Sequence, residues 1–187
     1  MAIRQVQEGC FTYQDWLNLE YDESVRVELI DGTIYFHASP NTRHQGLLGE
    51  IAMPIANYLK GKRCQLYIGL LAVRLEEDTV VVPDIIVVCD PKKLTEAGAE
   101  GAPDLIVEIL CPSTQSHDRA TKFNLYKRAG VTEYWIVDPE DNTLTIHRLE
   151  DDKYFTDVLN HKNTATVSAL PGFELDLSAV FAENIWF

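Results

Sequence analysis

Two almost unbroken apolar runs, residues 80–89 and 105–110, constrain this chain more than any other feature. A strand that is apolar at successive positions has to be covered on both faces, which places both runs near the centre of a sheet packed between other layers. Each run nevertheless holds a carboxylate. Asp84 stands in Val82-Pro83-Asp84-Ile85-Ile86 and Glu108 in Leu105-Ile106-Val107-Glu108-Ile109-Leu110. An ionised acid among such neighbours is costly unless a cation or hydrogen-bond donors meet it. An ion pair would satisfy Glu108, and a polar strand boundary would explain Asp84. Taken as a pair on adjacent strands, the two can share one hard divalent cation. Asp104, in the second Pro-Asp of the sequence, is a poorer partner for Glu108. Four residues at about 3.3 Å rise separate their Cα atoms by roughly 13 Å, too far for easy sharing of a metal with ligands at about 2.1 Å. Asp104 is expected to open its strand.

The remaining elements fall around these runs. Thr12 followed by Asp15, with Trp16, Leu17 and Leu19, predicts a capped helix ending near Tyr21. Arg26–Ile30 and Thr33–His37 flank Asp31-Gly32, the dipeptide suited to a two-residue hairpin turn. Leu47, Leu48, Ile51, Ile55 and Leu59 recur at helical spacing, so residues 42–60 form an amphipathic helix, with a kink expected at Pro54. Residues 64–75 read as another strand, and residues 90–102 as a polar excursion at the sheet edge. A helix over 118–129 stops at Gly130, and strands follow at 133–137, 144–149 and 154–159 before a tail over 170–181. With no linker, repeat or low-complexity tract, the expectation is one α/β domain over residues 1–187.

Composition narrows the function classes. The apolar runs are far short of the ~18 residues a membrane span needs, and the first ten residues lack a signal-peptide core, so a cytoplasmic protein without membrane contact is expected. Cys10, Cys64, Cys89 and Cys111 are scattered, form no C-x-x-C pair, and read as buried free thiols. The net charge of −13 opposes non-specific attraction to nucleic acid. The charge is uneven, however: from Ser113 to Gly130, Asp118 is the only acid against Arg119, Lys122, Lys127 and Arg128, which allows a basic patch on an acidic body. There is no His-Glu-x-x-His, no Gly-x-Ser-x-Gly, no phosphate-cradling glycine loop and no zinc-ligand pattern.

Several segments together carry a resemblance. They are Val27-Glu28-Leu29-Ile30-Asp31-Gly32, Ser39-Pro40 with His44, Val82-Pro83-Asp84, the stretch from Ala102 through Leu110 into Cys111-Pro112-Ser113-Thr114, Asp118 with Lys122 and Tyr126, and Gly130-Val131 through Glu133-Tyr134-Trp135-Ile136-Val137-Asp138-Pro139. Over residues 12–181 the chain resembles the Uma-type restriction endonucleases, bacterial members of the PD-(D/E)XK nuclease superfamily. The resemblance implies a restriction-endonuclease-like core: a central mixed β-sheet flanked by helices, preceded by an N-terminal helix and β-hairpin. It implies that Asp84 and Glu108 are the motif's acids and Glu28 an additional acid near the metal. The motif's lysine is expected two residues after the glutamate, where this chain has Leu110. Lys122 looks like that lysine relocated to a helix, able to orient an attacking water or stabilise phosphoryl charge. Asp118, Lys122 and Tyr126 are four apart and share a helix face. A salt bridge on a solvated surface would look the same. Glu28 also fits an outward polar position in an alternating strand. His44, near a helix N-terminus, is an accessory candidate for phosphate contact or proton transfer.

The expected function is therefore an endonuclease using Mg2+ or Mn2+ at Asp84, Glu108 and Glu28, with Lys122 assisting, to hydrolyse phosphodiester bonds in DNA. A homodimer is expected, since cutting both strands of a duplex needs two sites. The alternative is a catalytically inactive nuclease fold that binds nucleic acid or a protein, motivated by Leu110 and the acidic charge.

Overall fold

Asp31 and Gly32 both take left-handed φ, 49° and 72°, and the two strands beside them pair antiparallel from Ile30–Thr33 out to Arg26–His37. The turn dipeptide thus sets the register of the whole hairpin. The structure, a computed structural model, describes residues 5–21, 25–37, 39–111 and 117–182.

In chain order the elements are β1 (Gln5–Gln7), α1 (Tyr13–Leu17), β2 (Arg26–Ile30), β3 (Thr33–His37), α2 (Thr42–Leu59), β4 (Gln65–Ile68), β5 (Val73–Glu76), β6 (Thr79–Val81) and β7 (Ile85–Val88). A 3-10 turn at Pro91–Lys93 leads to β8 (Leu94–Thr95), β9 (Gly98–Glu100) and β10 (Leu105–Ile109). A π-helical segment, His117–Lys122, runs straight into α3 (Phe123–Ala129), which ends at the left-handed Gly130. The chain continues through β11 (Glu133–Asp138), β12 (Thr143–Glu150), β13 (Lys153–Asn160), β14 (Thr164–Thr166), β15 (Glu174–Asp176) and α4 (Leu177–Val180).

The expected α/β architecture with mixed strand directions is present, divided between two large sheets. One has the order β1-β3-β2-β6-β5-β9-β8 and the other β13-β12-β11-β10-β7-β4. Each is mixed, with parallel pairing at β5–β9 and at β10–β11 and antiparallel pairing elsewhere. The β10–β11 pair is joined through α3, as a parallel crossover requires. On one face of the second sheet, Ile85, Val107 and Trp135 pack under Ile51 and Ile55 of α2 and under Phe173 and Leu177. On its other face, Ile86, Ile106, Leu110 and Ile136 meet Val73 and Val81 of the first sheet and Leu125 and Tyr126 of α3. The outer face of the first sheet, with Val27, Leu29 and Ile34, is covered by Tyr13 and Trp16 of α1.

Three sequence expectations are corrected. The runs 64–75 and 80–89 are not single strands: each is broken, and its halves join different sheets. Gly69 and Leu70 both adopt left-handed φ, 56° and 50°, which turns the chain between β4 and β5. Pro83, lacking an N–H for a ladder, separates β6 from β7. The helix expected to reach Tyr21 stops at Leu17. Its capping box forms, with Thr12 and Asp15 exchanging hydrogen bonds, but the Asn18 side chain donates to the Gln14 carbonyl at 2.8 Å and closes the helix early. The cysteines are not all free, since Cys64 and Cys89 form a disulfide. The β4–β7 ladder ends with Gln65 opposite Val88, so one further step brings the two cysteines face to face.

Asp104 sits at the mouth of β10 and accepts the Cys89 N–H at 2.7 Å, away from Glu108. Among the described residues no helix is long and apolar enough to cross a membrane. The close parallel approach of β9 to β5 depends on Gly98. Its φ is 150°, and a Cβ there would lie 2.3 Å from the Ala72 carbonyl oxygen. Gly98→Ala is expected to cost about 1–3 kcal/mol, read as a lowered midpoint in urea denaturation.

Candidate active site

Strand register brings the two acids of the apolar runs together. The β10–β7 ladder pairs Leu105 with Val87, Ile106 with Ile86 and Val107 with Ile85. One step further sets Glu108 opposite Asp84, on the face that Ile106 and Leu110 turn toward the first sheet. The alignment is fixed by the Ile109 N–H, which donates to Asp84 Oδ2 at 2.8 Å.

Glu108 belongs to a buried ionic network that bridges the sheets. Lys122 Nζ donates to Glu108 Oε1 at 2.7 Å and to Glu28 Oε1 at 3.0 Å, and lies 3.6 Å from Asp118 Oδ1. The Tyr126 hydroxyl donates to the same Glu108 oxygen at 2.9 Å. Glu28 Oε1 also accepts the Val82 N–H at 2.8 Å, and His37 Nε2 lies 2.9 Å from Glu28 Oε2. Lys122 and Glu28 are wholly excluded from solvent, so a pairing on a solvated surface does not describe them. Lys122 ends the π-helical segment, in which His117 and Asp118 are buried with it. Leu110, at the position where the motif expects a lysine, is buried in the core between the sheets.

Asp84 has its own set of donors. Arg26 Nη1 reaches Oδ1 at 2.9 Å and the Val82 carbonyl at 3.1 Å, while His44 Nε2 stands 3.1 Å from Oδ2. His44 is held in the first turn of α2, where its backbone N–H is capped by Asn41.

These surroundings drive the facing acids apart. Burial disfavours the charged form of Asp84, but the His44 hydrogen bond, the Arg26 charge and the Ile109 N–H outweigh it and hold the carboxyl at about 2. Burial pushes Glu108 upward; Lys122 opposes this, while Asp84 and Asp118 add to it, and the carboxyl rises to about 8. Glu28, though buried, is held well below the usual carboxylate range by Lys122 and His37.

Four buried acids, Glu28, Asp84, Glu108 and Asp118, face two permanent cations, Arg26 and Lys122. The centre is short of positive charge, and the proton retained by Glu108 makes up part of the deficit. A divalent cation against Asp84 and Glu108 would replace that proton and close the deficit, and both offer the hard oxygen donors that magnesium or manganese takes. Among the described residues no three His, Cys, Asp or Glu side chains form a ready ligand set. The protein would therefore contribute one or two carboxylates, with phosphate and water completing the shell, as is usual for magnesium.

The expected basic patch is largely consumed. Lys122 is internal, Arg119 pairs with Asp138 at 2.6 Å, and Arg128 pairs with Asp31 at 2.6 Å and Glu76 at 3.2 Å. Two residues of the site escaped sequence reasoning, Arg26 and His37, although both carried a signal. Arg26 lies two before Glu28 and so shares its strand face, and the Asp31-Gly32 turn sets His37 opposite Arg26.

Residues 12–178 match the family model Uma2, described as "Putative restriction endonuclease". A curated relative, "Uncharacterized protein slr1290" of Synechocystis sp., is 26% identical over 141 residues, 74% of either chain. A crystal structure described as "a putative nuclease belonging to DUF820" from Anabaena variabilis superposes with a TM-score of 0.75 at 25% identity, covering 91% of this chain and 97% of its own.

Proposed function

Because the chain belongs to the Uma2 restriction-endonuclease family, we propose that it is a divalent-metal-dependent endonuclease that hydrolyses phosphodiester bonds in DNA and works as a homodimer. The observation that carries this reading is the facing pair Asp84 and Glu108, with the Lys122 ammonium on Glu108. Asp84 and Glu108 would hold Mg2+ or Mn2+, which when bound supplies charge to polarise the phosphate and acidify a water. Lys122 would assist through its buried ammonium, which sits on Glu108 beside the proposed metal position and would stabilise negative charge developing there. Glu28 is the additional acid of the centre and fixes Lys122 from the first sheet. Tyr126 holds the orientation of Glu108, and His44 that of Asp84.

A second reading, an inactive nuclease fold that binds nucleic acid or a protein, also has an observation behind it. Asp84 and Glu108 are already met by the protein's own donors, and no ready ligand set is present among the described residues. Asp84→Ala distinguishes the two. On the enzyme reading it lowers manganese-supported cleavage of DNA by on the order of a hundredfold or more and removes the calorimetric manganese isotherm. Equal cleavage rates for wild type and variant would sink the enzyme reading. No manganese binding to wild type, with or without DNA, would favour the binding module.

A further inference from the structure

Arg26 occupies the position on Asp84 that a metal would need. Its Nη1 is 2.9 Å from Asp84 Oδ1, while Oδ2 takes the Ile109 N–H and His44. Both oxygens are therefore engaged. A cation binding there has to displace a donor or share the carboxylate with a guanidinium, and two positive groups on one carboxylate repel.

Of these donors Arg26 is the one that can leave. The Ile109 N–H belongs to the backbone of β10, and the His44 side chain is 5% exposed, whereas that of Arg26 is 22% exposed. Arg26 also lines an open groove beside α1 with Trp16, Glu20, Tyr21, Leu70 and Val82. A guanidinium at a groove wall matches the fork of a phosphate diester better than a lysine would, and it stays charged on moving.

We propose that Arg26 is a phosphate-binding residue parked on Asp84: a nucleic-acid phosphate entering the groove draws the guanidinium off the carboxylate and so opens Asp84 to the divalent cation. This rests on the reading of Asp84 as a metal ligand. Nucleic acid and metal then bind with positive coupling. By linkage, each raises the affinity of the other by the same factor. The free protein is weakly metallated, and the metal site completes itself on substrate.

The test is manganese titration calorimetry on wild type, Arg26→Gln and Arg26→Lys, each alone and with a hydrolysis-resistant phosphorothioate DNA duplex. Alone, Arg26→Gln is expected to bind manganese about tenfold or more tighter than wild type. The duplex should tighten manganese binding to wild type and leave Arg26→Gln nearly unchanged, while the variant binds the duplex itself more weakly. Arg26→Lys keeps the charge and should stay near wild type in the metal-only titration, which separates loss of the plug from disturbance of the fold. Unchanged manganese affinity in Arg26→Gln overturns the proposal. Asp84→Ala in the Arg26→Gln background tells the two failures apart. If that change abolishes binding, the metal reading stands without the plug; if binding survives it, or is absent from every protein, the metal reading of Asp84 falls as well.

Discussion

Lys122→Met is expected to destabilise the protein by about 3–5 kcal/mol, because it leaves buried carboxylates without their shared counter-charge. Lys122 Nζ is the group that Glu108 and Glu28 both contact within 3.0 Å, and Asp118 stands 3.6 Å away. Methionine fills much of the volume, so the loss reports charge and not packing. The variant should recover stability toward acid pH, where the stranded acids take up protons, and Glu108→Gln in the same chain should return part of the loss. Urea denaturation across pH measures both. A variant within about 1 kcal/mol of wild type at neutral pH would remove Lys122 from its place as the buried counter-charge.

Glu108→Gln has the opposite sign for stability. The carboxyl titrates at about 8 when folded against an ordinary 4.5. A raised folded value means that stability from this group is complete below about 4.5 and is lost as pH climbs to about 8. His117 and His147, lowered by burial to about 4 from 6.5, act the other way and add stability as pH rises through their window. Between about 6.5 and 8 those histidines are spent, so the wild-type midpoint is expected to fall with pH while that of Glu108→Gln stays flat. At pH 8.5 the variant is the more stable protein, yet under the proposed metal-dependent function its cleavage rate is expected to drop on the order of a hundredfold or more, since a carboxamide is a poor ligand for a hard cation. Thermal melts at several pH values and single-turnover cleavage read the two effects from one preparation. Parallel pH profiles for the two proteins would remove Glu108 as the group with the raised pKa.

The hairpin was legible because a two-residue turn settles its own register, and the buried pair Asp84 and Glu108 was legible because carboxylates in apolar runs are costly. Where the runs broke was not. An apolar residue reads alike whether its strand sits in the first sheet or the second, so Val80–Val82 and Ile85–Val88 looked continuous despite Pro83. The Cys64–Cys89 pair escaped for a related reason, since the strand register that joins two cysteines 25 residues apart leaves no mark in spacing. Lys122 was found through resemblance, but its complete burial was not foreseen. A long cationic side chain on a helix ordinarily points outward. Arg26 and His37 needed only the alternation of a strand already identified, applied to its polar residues as well as its apolar ones.

The ionic cluster around Lys122 also fastens one sheet to the other, Glu28 reaching from β2 and Glu108 from β10. A descendant without hydrolytic activity would still keep the Lys122–Glu28 pair of this rivet, because discarding the lysine strands buried carboxylates. Persistence of these residues in a lineage is therefore no record of surviving chemistry. Arg26, outside the rivet, is freer to drift, and if it is the proposed phosphate-binding residue its fate is the better marker of retained nuclease activity.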